Sequence, residues 1–458
     1  MFSSQFCSLD PSSKPTFPLL LHPLLEVLWI LSLAVRPSKY KPVLFFLPIA
    51  SILAWTWTCS RLETGRFGIN FGLASRMMII LLSSSVDILL TNPQKYFASQ
   101  KDITQKKFDG PEEKAPVVPS HFTSSNSYTN AHQATVNATQ PQSSSIGSAP
   151  FLARFKWAVS YWFNPRSIGL PHEPTRVLPP KPSPSTTRTA FILQQLYTIS
   201  IFYLLVDISL IMAHAYSARR SWMATHHGGM GHFDIWKLVN MGFGIQIYAM
   251  LVIEHCLIAL TAVGLGLSEP QFWPPLYHNV TEAYTLKRFW GTFWQQLYRR
   301  VFIVHSDFFA HNILLLPRSR NKIIVFTKVT LVFLVSGILH FGGDALALQS
   351  LRKPGSFQFF CLQPVGLIIE DLILSVWCYF KPSAKVSSRT PPIFLKLVGF
   401  VWVFIWIGYT LPFWAEPLLD ASYIEDVSKG VPSILLGLWK GQWVWPEDNQ
   451  WEWTEKGP

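Results

Sequence analysis

The sequence predicts an all-α bundle of membrane-crossing helices with about eight to ten membrane segments. Three observations carry this. Hydrophobic residues make up 49% of the 458 residues and charged residues only 14%, against roughly 25% charged in a soluble domain. Mean hydropathy is +0.24. Apolar runs of about 20 residues, the length that crosses a bilayer as a helix, recur along most of the chain.

The runs fall at about 17–35, 42–58, 70–90, 191–213, 238–267, 323–341, 357–380 and 393–414. Two weaker ones, near 299–316 and 431–438, read as short, tilted or re-entrant. The opening MFSSQFCSLDPSSK lacks a basic stretch before an apolar one, so the first run is expected to remain as a membrane helix rather than be cleaved. Residues 92–190 are rich in Ser, Thr, Pro and Gln and read as a loop. Within it, Phe151, Phe155, Val159 and Trp162 recur at helical spacing with Arg154 and Lys156 among them, the pattern of an amphipathic interfacial helix. The chain therefore divides into N-terminal membrane helices (1–91), the loop (92–190), a membrane core (191–440) and a tail (441–458).

The formal net charge is +12, but the basic residues sit mostly between apolar runs. That distribution suits anionic headgroups or the phosphates of a soluble co-substrate, and no nucleic-acid-binding motif is present. The five cysteines include no CxxC pair, so they are expected to be small core residues rather than a disulfide framework or zinc site. His226, His227 and His232 lie in a glycine-rich stretch without the spacing of a rigid metal site, and no metal is expected. Asn137 and Asn279 begin glycosylation sequons. Asp87, Asp207, Glu254, Glu370 and Asp371 fall in apolar runs, where charge is costly and faces a protein interior or cavity. A transporter could use Asp207, Glu254, Glu370 and Asp371 as a relay, but no internal repeat supports that reading.

Three stretches could carry chemistry. In YTLKRFWGTFWQQLYRR (284–300), Trp290, Phe293, Trp294 and Leu297 follow i, i+3, i+4, i+7 and form one apolar face of an expected surface helix. In LVFLVSGILHFGGD (331–344), His340 ends an apolar helix with Ser336 one turn before it. A neutral imidazole can take a proton from an alcohol near physiological pH. Gly342-Gly343 is expected to break this helix and admit a ligand to the backbone. Asp344, four residues on, could orient His340. In FQFFCLQPVGLIIED (357–371), Glu370-Asp371 could bind a cation, cap a helix or pair with a basic residue. No GxSxG elbow is present.

Taken in order, NPRSIGLP (164–171), YTLKRFWGTFWQQLYRR (284–300), FLVSGILH (333–340) and QPVGLIIED (363–371) resemble the fungal, wax-synthase-like branch of the membrane-bound O-acyltransferase superfamily, over about 150–415. The resemblance implies a helix bundle pierced by a reaction chamber, an acyl-CoA co-substrate with no resident cofactor, an alcohol acceptor and an endoplasmic reticulum membrane. It marks His340 as catalytic. The position after FWGxxW, usually His or Asn in the family, is Gln295 here, which can hydrogen-bond an oxyanion but cannot act as a base. A backbone N–H near Gly342 is the other candidate oxyanion donor. Arg288, Arg299 and Arg300 are candidates to receive CoA phosphates. Fungal members resemble acetyltransferases of terpenoid and meroterpenoid pathways; plant relatives make wax esters from long-chain alcohols.

Overall fold

The computed structural model describes residues 14–96, 146, 149–170, 173–231, 234–319, 321–380 and 392–445. Among these, seven helices are long and apolar enough to cross a membrane: Pro42–Cys59, Phe67–Leu90, Arg188–His227, Lys237–Gly264, Lys322–Ala347, Ser356–Trp377 and Ile393–Leu419. The run expected at 17–35 forms a shorter helix, α1 (Leu21–Ala34). Next come α2 (Leu47–Cys59), α3 (Phe67–Ser85), α4 (Phe151–Trp162), α5 (Arg188–His227) and α6 (Met241–Gly264). The series continues with α7 (Arg299–Phe308), α8 (Lys322–Ala347), α9 (Ser356–Phe380), α10 (Ile393–Leu419), α11 (Tyr423–Ser428) and α12 (Ile434–Lys440). The two weaker runs fold as α7 and α12, too short to span. The protein is an integral, multi-pass membrane protein built as an all-α bundle.

Hydrogen bonds between helix ends sort the bundle into two faces. On one, called upper here, the Phe17 N–H donates to Arg61 O at 2.7 Å, Gln349 Nε2 to Leu62 O at 3.0 Å and the Gly68 N–H to Asp426 Oδ2 at 2.8 Å. Arg220 pairs with Asp420. This face gathers the starts of α1 and α3 and the ends of α2, α5, α8 and α10. On the lower face Arg300 reaches Thr91 beyond α3, and Ser306 of α7 donates to Lys328 O near the start of α8.

Most charges flagged within the spans have structural partners. Asp207 accepts from Ser433 Oγ at 2.6 Å and the Leu435 N–H at 2.8 Å, capping α12. Asp371 pairs with Lys322 at 3.3 Å, and Glu254 is exposed. Together with Glu370, described below, these residues form no relay across the bundle. One other expectation is corrected. Cys59 is disulfide-bonded, with its partner outside the described side chains, while Cys256 and Cys361 are free. The expected helix α4 forms, and one side of it packs on the protein: Arg154 is buried, donating to Ala34 O at 2.8 Å and to Ala149 O at 2.6 Å, while Trp162 Nε1 donates to Glu26 at 2.8 Å. Phe151 and Leu152 on the same helix are exposed. Asn137 lies outside the described residues; Asn279 caps the turn Val280–Glu282.

Candidate active site

His340 lies on α8, seven residues below its upper end, about 10 Å at 1.5 Å per residue. Its ring stacks on Phe360 of α9 at 4.5 Å between centroids and meets the edge of Trp414 of α10 at 4.8 Å. The ring is half-buried, and neither nitrogen is engaged in a hydrogen bond among the described residues. Two large aromatic walls thus fix the imidazole while leaving its proton-handling atoms free.

The expected helix break at Gly342-Gly343 does not occur. α8 runs unbroken through both glycines to Ala347, so the Gly342 N–H lies in the helix interior, where it is committed to the helical ladder and offers no oxyanion donor. The glycines serve packing instead. A Cβ on Gly343 would lie 3.0 Å from Ser75 Oγ and 3.1 Å from Ser75 Cα, and one on Gly342 would meet the Met78 side chain. Both allow a close approach of α8 to α3, at the roughly 1 kcal/mol that glycine costs inside a helix. Gly337, three residues before His340, does the same towards α9, where a Cβ would lie 3.0 Å from the Phe357 ring.

Because the helix continues, Asp344 falls on the same face as His340, one turn further up. Asp344 is 1% exposed and accepts from Trp414 Nε1 at 3.4 Å. It does not bond to His340; Trp414 touches both.

The 284–300 stretch is not one surface helix. One helical turn, Leu286–Arg288, widens into a π-type turn at Phe289–Phe293 and ends where Trp294 is extended. Leu297 therefore leaves the face expected from the i, i+3, i+4, i+7 pattern. The segment re-enters the bundle. Glu370 anchors its start, accepting the Leu286 N–H at 2.6 Å and the Lys287 N–H at 3.2 Å, with Trp402 Nε1 at 3.2 Å. Of the roles open to Glu370, the structure selects the helix cap. Trp290 then rises to the level of Gln363, donating to its Oε1 at 3.3 Å, and packs on Phe360 at 6.2 Å. Phe360 thus separates Trp290 from His340 and brings RFWG and SGILH to one level.

The return is tied by Gln296, the second glutamine, whose role the sequence did not reveal. It is 6% exposed and its Nε2 donates to Trp294 O at 2.5 Å and Trp290 O at 3.2 Å, while Arg299 donates to its Oε1 at 2.8 Å. Gln295 is half-buried; its Oε1 accepts the Leu297 N–H at 2.7 Å, leaving the amide N–H₂ as its free hydrogen-bonding group.

The three arginines nominated for phosphate have protein partners. Arg288 pairs with Glu282, donates to Glu282 O at 3.0 Å and stacks over Tyr284. Arg299 reaches Gln296 as above. Arg300 pairs with buried Asp87 at 2.8 Å.

The NPRSIGLP piece is a clamp. Arg166 is buried, and its guanidinium donates to Pro275 O at 2.7 Å and Pro274 O at 2.8 Å. Burial lowers its pKa to about 10, so it remains a cation at neutral pH. It fixes the 273–277 stretch, whose Tyr277 ring packs on Trp294 at 5.4 Å.

Residues 273–362, from this clamped stretch past Phe360, match the membrane bound O-acyl transferase family. Acetyltransferase eriL of Hericium erinaceus is 28% identical over 296 residues, covering 63% of this chain and 73% of the relative. Acetyltransferase ple2 of Rhodocybe pseudopiperita is 27% identical over 444 residues, 95% of this chain and 100% of the relative. Acetyltransferase ataH of Aspergillus terreus is 29% identical over 300 residues, 63% and 96%. No solved structure matches the chain. The re-entrant segment and His340 both lie inside the stretch that matches the membrane-bound O-acyltransferase family, and the chain is an acyltransferase enzyme.

Proposed function

We propose that the protein transfers an acetyl group from acetyl-CoA to the hydroxyl of an apolar, terpenoid-like alcohol, in the endoplasmic reticulum membrane, with His340 as general base. The observation that carries this reading is His340 itself, an imidazole with free nitrogens held between Phe360 and Trp414 where the re-entrant segment meets α8. The alcohol oxygen attacks the thioester carbonyl as His340 takes its proton. The carbonyl oxygen gains negative charge; the C–S bond then breaks, and CoA leaves as thiolate or, taking the proton from the imidazolium, as thiol. The free amide of Gln295 is our candidate oxyanion donor. Arg288, with its side chain 40% exposed, is our candidate for the donor phosphates; Arg299 and Arg300 we assign to holding the re-entrant segment. The relatives named above are acetyltransferases, which favours acetyl over longer donors.

The test uses membranes containing the protein, given equal acetyl-CoA and palmitoyl-CoA with a panel of terpenoid alcohols and hexadecanol. Acetylated terpenoid is the expected product. Palmitoyl transfer to hexadecanol without acetylated terpenoid would replace this reading with a wax-ester synthase.

The two glutamines should separate. Gln295→Ala should leave protein level unchanged and lower turnover, by less than loss of His340 does; an oxyanion donor is worth roughly 10²–10³ in rate. Gln296→Ala strands two carbonyls and removes one partner of the Arg299 guanidinium. An unsatisfied buried group costs about 1–3 kcal/mol, so the amount of folded protein should fall as well. Equal folded levels and equal rates for the two variants would contradict this division of labour.

A further inference from the structure

Three buried side chains from three helices meet just above His340. Asp344 of α8 is 1% exposed, Ser356 at the start of α9 is fully buried, and Trp414 of α10 is 7% exposed. Asp344 has two side-chain hydrogen-bond partners here: Trp414 Nε1 donates to its Oδ1 at 3.4 Å, and the Ser356 hydroxyl is the other. The meeting is built into the backbone. A Cβ on Gly355 would collide with Phe413 O, so the start of α9 lies directly on the residue before Trp414. Asp344 stands one helical turn after His340 on the same face of α8.

Trp414 is otherwise surrounded by rings. It packs on Phe243, Phe359 and Phe360 at 5.7, 5.7 and 5.5 Å between centroids. An indole turned over in such a setting keeps much of its apolar contact, but its N–H then points away from an acceptor. Indole has a single polar atom, a donor, and a buried donor without an acceptor is costly. Asp344 therefore selects the orientation in which Trp414 meets the His340 ring, at 4.8 Å. Phe360 stacks on one face of the imidazole at 4.5 Å and fixes its plane. Trp414 approaches from a second direction and limits movement within that plane.

We infer that Asp344 is a positioning residue for the acyl transfer: acting through the Trp414 indole, with Ser356 as its second partner, it holds the His340 imidazole where it takes the proton of the acceptor alcohol. This rests on the general-base reading above and deepens it. The carboxylate four residues after the histidine acts on it through a third side chain rather than by a direct hydrogen bond.

The experiment uses the full chain and has two readouts. One is kcat and KM in membranes, per amount of folded protein. The other is the NMR signal of histidine labelled with 13C at Cε1, in detergent, with the His340 signal identified by its loss in His340→Ala. Asp344→Leu removes the acceptor. It should shift the His340 signal and lower kcat by roughly 10–10²-fold, the scale of a misplacement of about 1 Å, with both KM values within about twofold. Asp344→Asn keeps an acceptor oxygen for the indole and should restore the signal and most of kcat. Trp414→Phe keeps a ring and removes the N–H; it should lose a similar factor, and combining it with Asp344→Leu should cost no more than the slower single variant. If Asp344→Leu does not accumulate, Trp414→Phe and Asp344→Asn carry the same test. An Asn variant as slow as the Leu variant, or losses that multiply in the double variant, would overturn the inference, and so would an unmoved His340 signal. The signal does not depend on catalysis. A shifted signal with unchanged kcat would sink the general-base reading and keep the positioning, whereas a lowered kcat with an unmoved signal would do the reverse.

Discussion

His340→Ala should abolish acyl transfer, by about 10²–10⁴-fold, while the protein remains in the membrane at close to its normal level. The rate term is what a positioned general base contributes. The stability term is small by comparison. The ring stacks on Phe360 and abuts Trp414, and aromatic pairs contribute about 0.5–1.5 kcal/mol beyond their buried area. Neither ring nitrogen carries a hydrogen bond whose loss would strand a partner. Loss of activity with retention of protein is therefore the signature of a chemical role. The measurement is acetyl transfer by isolated membranes, normalised to immunoblotted protein. A well-expressed variant that is fully active would make His340 a packing residue and remove the foundation of the proposed mechanism.

The spans and His340 were legible because both are local signals. Apolar runs reveal membrane helices by length alone, and SGILH places its histidine at the end of such a run. What surrounds His340 was not legible. Phe360 and Trp414 are two among many aromatics on α9 and α10, and only the packing of three helices chooses them. The glycines after His340 were misread for the same reason. Gly-Gly breaks an isolated helix, but here α3 lies against it, with Met78 and Ser75 occupying the space that two Cβ atoms would need. In the re-entrant segment, the helical spacing from Trp290 to Leu297 was real in sequence and absent in space. Glu370, 84 residues from Leu286, sets where the turn starts, and Gln296 folds it back. Composition also flagged Asp87 and Arg300 without any sign that they belong together across 213 residues.

That pair supports the second large effect. Arg300→Leu should lower stability by about 3–5 kcal/mol, the usual consequence of removing one partner of a buried ion pair. Asp87 has a side-chain exposure of 2%. Without Arg300 its hydrogen bonds come from the Tyr161 hydroxyl at 3.0 Å and Trp29 Nε1 at 3.2 Å, both neutral donors, while Lys41 remains as a nearby cation. The cost is that of a buried carboxylate losing its paired guanidinium rather than of the pair as such, so Asp87→Leu with Arg300→Leu should recover most of the loss. Thermal melting of the detergent-extracted protein would measure both. The double variant also separates two roles for Arg300. If its guanidinium held the phosphates of the donor, the refolded double variant would need much more acetyl-CoA to reach half-maximal rate. If it pins the start of α7, and with it the return of the re-entrant segment, to α1, α3 and α4, the KM for acetyl-CoA should stay within about twofold once the fold is restored. The structure favours the second outcome, because Arg300 is already held at 2.8 Å by Asp87 and at 3.0 Å by Thr91 Oγ1, and a phosphate would have to displace a buried carboxylate to reach it.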